Sequence, residues 1–181
     1  MNASREAPGL VLFLDGIVEG QTELVVDVAA ATLALRDQYC EFRWPVHVAL
    51  HVWRVAETYT IAGTAATRVA AECCRCLAPA EAGVEAPIGL VLQRRPAAAE
   101  ELAAASAEDG IELVAPGTQE FDLSEIVRQA LVLELPVRLY CRADCRGLCP
   151  RCGQNLNEGS CGCADRGADG RWDALGRIQF D

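Results

Sequence analysis

The sequence predicts an α+β fold: a β-rich antiparallel sheet or partly closed barrel with one packed helix, ending in a cysteine-rich tail. Three features carry that expectation. Trp44, Val46, Val48, Leu50 and Val52 alternate with His47, Ala49, His51 and Trp53, the period of a strand with one buried face. Leu123, Ile126, Val127, Ala130, Leu131 and Leu133 recur at helical spacing, as a helix with one apolar side requires. Six of the ten cysteines fall between Cys141 and Cys163.

The elements follow in order. Leu10 to Leu14 is the one early apolar run, too short for a signal core or a membrane span, and no basic stretch leads into it. A reducing, cytoplasmic setting is therefore expected. From Leu10 to about Leu92 the chain reads mainly as strands. Ala56-Glu57-Thr58 looks like a turn, Tyr59 to Ala71 a Thr- and Val-containing strand, and Val84 to Leu92 another with Ile88, Leu90 and Leu92 in phase. Pro87 favours an edge there, because it has no N–H for a ladder. Short turns between successive strands point to antiparallel pairing. The stretch of about 93–120 is rich in Ala and Glu and contains Pro96 and Pro116. It is expected to be a mobile, partly helical acidic linker. A helix over about 122–135 should then pack on the open face of the sheet. Asp122 is placed to cap it, Glu125 stands three residues on, and Pro136 stops it. The last residues, Arg171 to Phe180 with Trp172, Leu175 and Ile178, suit a short amphipathic closing helix. The chain thus divides into a body, 1–137, and a tail, 138–181.

Charge divides the same way. The whole chain carries −10, and all 16 basic residues are arginine. The first 137 residues hold 9 Arg against 20 Asp and Glu, a net −11, and the remainder is +1. Phosphate binding needs a basic surface, so the body is excluded as a non-specific RNA binder and suits a basic protein partner better. Arg142, Arg146 and Arg151 lie among the tail thiols and could touch RNA, or could simply balance thiolate charge.

The tail thiols have metal-ligand spacing. Cys149-Pro-Arg-Cys152-Gly153 sets two sulfurs two residues apart, and Cys161-Gly-Cys163 adds two more. Four thiolates suit Zn²⁺, which takes soft sulfur donors in a tetrahedron, so the tail reads as zinc-ribbon-like. A disulfide framework would need an oxidising compartment. A redox Cys-Pro-x-Cys pair usually precedes a helix, whereas Gly153, Asn155, Asn157 and Gly159 are turn residues. Iron–sulfur ligation lacks its usual spacing. A second knuckle, Cys73 and Cys76, together with Cys141 and Cys145 would complete another Cys₄ set. One or two Zn²⁺ ions are expected, with Cys40 and Cys74 left over. Two alternatives stand beside this pairing: Cys145 could instead join Cys149 and Cys152, or Cys73 and Cys76 could merely close a tight turn. His47 and His51 share a strand face about 13 Å apart, at roughly 3.3 Å per residue, too far to share an ion.

The order of motifs resembles the bacterial and plastid YceD family. Cys73-x-Arg75-Cys76-Leu77 leads through an acidic linker to Phe121-Asp-Leu-Ser-Glu125, Glu134-Leu-Pro136 and Gly147-Leu-Cys149-Pro-Arg-Cys152-Gly-Gln-Asn-Leu156-Asn. Cys161-Gly-Cys163 and Asp169-Gly-Arg171-Trp172 close the series. The resemblance spans roughly Trp44 to Ile178, and Cys74 is an extra thiol within the first motif. It implies a non-enzymatic accessory factor that supports accumulation of large-subunit ribosomal RNA. The charge of the body adds a ribosomal or other basic protein as the expected partner, with pre-ribosomal RNA contacted directly or through it. It supplies no catalytic residues, and the chain shows no acid–base or nucleophile constellation. No membrane and no small-molecule substrate is expected as a partner. The alternative function is a zinc–thiolate redox sensor or regulatory interaction module.

Overall fold

The computed structural model describes residues 9–95 and 111–163. Five strands form the main sheet: β2 (Gly20–Val28), β3 (Val46–Val55), β4 (Thr58–Glu72), β5 (Pro79–Arg94) and β6 (Ile111–Val114), in that spatial order. β1 (Val11–Phe13) pairs with β7 (Glu120–Asp122) beside it. The one α-helix among the described residues, α1, spans Ser124–Leu133. β2 through β5 are joined antiparallel. The sheet is open, because β2 and β6 end the order and do not pair.

The expected alternation sets the two faces. Val46, Val48, Leu50 and Val52 of β3 are buried beside Tyr59, Ile61, Ala65 and Val69 of β4 and Val84, Ala86, Ile88 and Leu92 of β5. α1 closes this face through Leu123, Val127 and Leu131, one buried residue every four positions, and it packs mainly on β5. The other face carries His47, hydrogen-bonded to Asp27 at 2.9 Å, and His51, facing Gln21 at 3.3 Å. Both are ordinary cross-strand contacts of a wet sheet surface. Gly63 sits where β3 and β4 approach most closely: a Cβ there would lie 2.0 Å from the Ala49 carbonyl oxygen. Pro87 fits its edge expectation, since β6 pairs β5 only from Val91 to Arg94 and, among the described residues, Pro87 has no strand neighbour on that side.

Three expectations need correction. The stretch of 93–120 is not wholly a connection, because β6 lies within it and pairs parallel with β5. A four-residue strand is too short to declare itself by periodicity. Asp122 does accept from the Ser124 N–H at 2.8 Å. Leu123 is nonetheless the residue at the N-cap, and Glu125 turns forward to Arg128 and Gln129 instead of back to the cap. Those partners hold the Glu125 carboxyl down at about 2. Leu133 leaves the apolar stripe and is exposed, because two residues past Leu131 it points about 160° away from that buried side chain. The closing helix expected over Arg171–Phe180 lies outside the described residues. Among the described residues, no helix is long and apolar enough to cross a membrane.

Candidate metal centres

The turn between β4 and β5 is a knuckle. Cys73 donates its N–H to the Ala78 carbonyl at 2.8 Å, and Leu77 donates back to the Cys73 carbonyl at 2.9 Å. These bonds fold the backbone so that Cys73 and Cys76 face one point. The tail repeats the device: Cys149 donates to Gln154 at 2.8 Å and Gly153 to Cys149 at 2.9 Å. The residue after each second cysteine is left-handed, with φ +60 at Leu77 and +74 at Gly153.

The structure brings Cys73, Cys76, Cys141 and Cys145 into one group and Cys149, Cys152, Cys161 and Cys163 into another, with the sulfurs of each group within 4.8 Å of one another. In the first group Cys73 Sγ lies 3.8 Å from Cys145 Sγ, and Cys76 Sγ lies 3.5 Å from Cys141 Sγ. Four sulfurs each about 2.3 Å from a tetrahedral Zn²⁺ stand about 3.8 Å apart. Both groups could hold a metal ion, and the thiolate donor set fits zinc. Cys145 therefore sits with the body knuckle, not with Cys149 and Cys152, and Cys40 and Cys74 lie outside both groups.

Electrostatics within each group are those of crowded thiols. Burial raises Cys73, but the N–H groups of Cys141, Arg75 and Cys76 outweigh it and bring the thiol down to about 6. Cys141, beside Cys76, is pushed up to about 12. In the tail the N–H groups of Cys152 and Arg151 bring Cys149 down to about 6, while Cys163, beside Cys152, rises to about 12. One thiolate discourages the next from ionising. A divalent cation reverses that relation, since a coordinating thiol loses its proton outright.

Side chains that the motif spacing did not single out complete the first group. Asn157 donates to Cys145 Sγ at 3.3 Å, and its Oδ1 accepts from the Arg146 N–H at 2.8 Å. Arg75 donates to the Cys145 carbonyl at 2.9 Å and lies over the Tyr140 ring. Outer contacts of this kind orient the sulfur and spread its charge. Main-chain bonds add to them: Cys74 donates to Leu139 at 2.9 Å and Leu148 to Arg75 at 3.0 Å. Gly147, at φ +75, lets the tail pass against Arg75, where a Cβ would lie 3.0 Å from the carbonyl oxygen. The first group thus joins the tail to the sheet, and the second organises the tail itself.

An open sheet with a four-thiol group welding its longest hairpin to a C-terminal tail, and a second group within that tail, defines a β-sheet protein with paired tetrathiol knuckles. The chain belongs to the YceD family: the model for "Large ribosomal RNA subunit accumulation protein YceD" matches residues 61–179, which include both groups. An uncharacterized protein of Mycobacterium leprae is 31% identical over 70% of this chain and 56% of its own length. A maize chloroplast protein titled large ribosomal RNA subunit accumulation protein YCED homolog 1 is 29% identical over 71% of this chain and 52% of its own. The Arabidopsis homolog of the same title is 33% identical over 35% of this chain and 20% of its own. The chain spans about half the length of the first curated relatives it matches. No solved structure matches it.

Proposed function

We propose that this protein is a non-enzymatic accessory factor in large ribosomal subunit biogenesis, supporting accumulation of the large-subunit ribosomal RNA, with two structural Zn²⁺ ions and an acidic body that docks a basic protein. The observation that carries the reading is the family match across residues 61–179. The structural role for the metal rests on the donor sets. Four sulfurs fill a tetrahedron and leave no position for water or substrate, as in structural and not catalytic zinc sites. The choice of a basic protein over bare RNA rests on charge, the first 137 residues being at −11. We place it in the cytoplasm, where thiols stay reduced.

The test is a deletion strain. Mature large-subunit RNA should fall relative to small-subunit RNA and recover when the gene is restored. An unchanged ratio overturns the reading. The redox alternative draws on the 3.5 Å approach of Cys76 and Cys141. Reversible zinc loss at physiological oxidant levels, with the RNA ratio unaffected by deletion, would favour it.

A further inference from the structure

The two knuckles provide an internal comparison. Both need a left-handed residue after the second cysteine, and both make the same pair of main-chain hydrogen bonds. The tail uses glycine, which adopts that conformation without strain. The body uses Leu77, an L side chain in a region L side chains rarely enter. Burial does not explain the choice, since Leu77 is 58% exposed. A strained, solvent-facing leucine where glycine would serve is an observation that points to function.

Leu77 lines a groove of about 1070 Å³ between the 37–43 segment, the β4–β5 turn and the chain after α1. Tyr39 and Val137 line it too, at 78% and 96% exposure. Three of the nine large apolar side chains exposed among the described residues thus line this groove. The charged lining is Asp37, Glu41, Glu72 and Glu81 against Arg43; Arg43 is already paired with Glu41 at 2.6 Å, and Glu81 with Arg68. Asp37 and Glu72 face solvent with no ion-pair partner among the described residues.

We propose that this groove is the docking site for an Arg- and Lys-rich protein segment carrying a large aliphatic or aromatic anchor, with Leu77 as the contact that grips the anchor. The acidic rim attracts the cationic flanks and repels nucleic acid phosphate. The exposed apolar side chains of Tyr39, Leu77 and Val137 take the anchor, the arrangement by which peptide grooves gain affinity. Cys73 forms part of the wall, so the first four-thiol group fixes the groove's shape. The inference rests on the proposed role and names the site through which the basic partner would act.

The test uses the zinc-loaded full chain and a labelled synthetic peptide of Arg and Ala with one central Leu-Phe pair. A second peptide replaces that pair by Ser-Ser, and the third probe is single-stranded RNA. The anchored peptide should bind and shift the amide resonances of Tyr39, Leu77 and Val137. Affinity should fall roughly tenfold with Leu77→Gly, as expected for one lost apolar contact, and further with the Ser-Ser peptide, which loses two apolar side chains. Leu77→Gly relieves strain, so its melting temperature should hold or rise and its zinc content should not change. Glu72→Gln should weaken binding and flatten its salt dependence. Equal affinity for both peptides, unaltered binding by Leu77→Gly, or RNA shifting the same resonances overturns the proposal. Self-association that Leu77→Gly abolishes also overturns it, in favour of a second copy as occupant. Complementation separates the two readings. If deletion lowers large-subunit RNA and Leu77→Gly restores it in full, the groove inference falls and the proposed function stands. If deletion leaves the RNA unchanged, the proposed function falls whatever the peptide does.

Discussion

Arg94 shows how one side chain can hold together parts of the chain that the sequence leaves unrelated. It ends β5, yet its guanidinium bonds Asp15 at 3.0 Å and the Thr118 carbonyl at 2.5 Å, approaches Glu57 at 3.5 Å and lies over the Tyr59 ring. Four segments therefore meet at one cation, above a tyrosine that is fully buried. Arg94→Met keeps the packing volume but leaves the Thr118 carbonyl and both carboxylates without that donor. We expect a loss of about 2 kcal/mol, read as a lower midpoint in urea, with Arg94→Lys recovering only part because an ammonium lacks the planar fork. An unchanged midpoint would refute the bridging role. The contrast with the cysteines is instructive. Their knuckles were legible because sulfur chemistry restricts spacing to a few values, whereas the grouping of Cys141 and Cys145 with Cys73 and Cys76 needed the fold. Arg94, Asn157 and Arg75 act across folded distances, Arg75 reaching a carbonyl 70 positions away; Arg75 and Asn157 stand inside the family motifs, but nothing local says what they touch.

At the level of elements, the long strands and the helix were legible because burial imposes a period on ten or more residues at once. β6, four residues long and paired parallel to β5, carries too little pattern and lies in a stretch whose composition suggests a linker. The knuckles were legible as ligand pairs, but not in their different attachments. Cys73 is fully buried and belongs to the hydrophobic core, whereas the tail group rests on local turns such as the Leu148–Asn155 bridge. Cys149→Ser should therefore release only the tail. Metal binding is folding energy for the segment it organises, and this segment has few large apolar residues to replace it. Limited proteolysis should cut from Arg151 onward and spare both the sheet and the segment that Cys141 and Cys145 tie to it. Cys73→Ser should expose the β4–β5 turn as well and lower the melting temperature of the body. Equal proteolysis patterns for the two variants would show that the groups form a single unit.

For the whole molecule, the metal inventory and the leftover thiols make one measurable quantity. The ten cysteines are all free of disulfides, and eight fall into the two groups. The loaded, reduced protein should contain two zinc ions and present two thiols to a thiol reagent. Cys74 is exposed and should react first. Cys40 should lag, because burial and the neighbouring Asp37 push its thiol up to about 11. The thiolate is the reacting form, and a raised value keeps Cys40 protonated at neutral pH, so its rate should climb as pH rises toward that value. Adding a strong chelator should expose the other eight, while the sheet keeps its strand signal, since its core is built from Val, Leu and Ile side chains as well as sulfur. Acidification should release the metal in the same order of events, because ligation requires deprotonated thiolates. Ten rapidly reacting thiols and a metal content near zero in protein purified without a metal-binding tag would remove zinc from the account and leave the knuckles as tight turns.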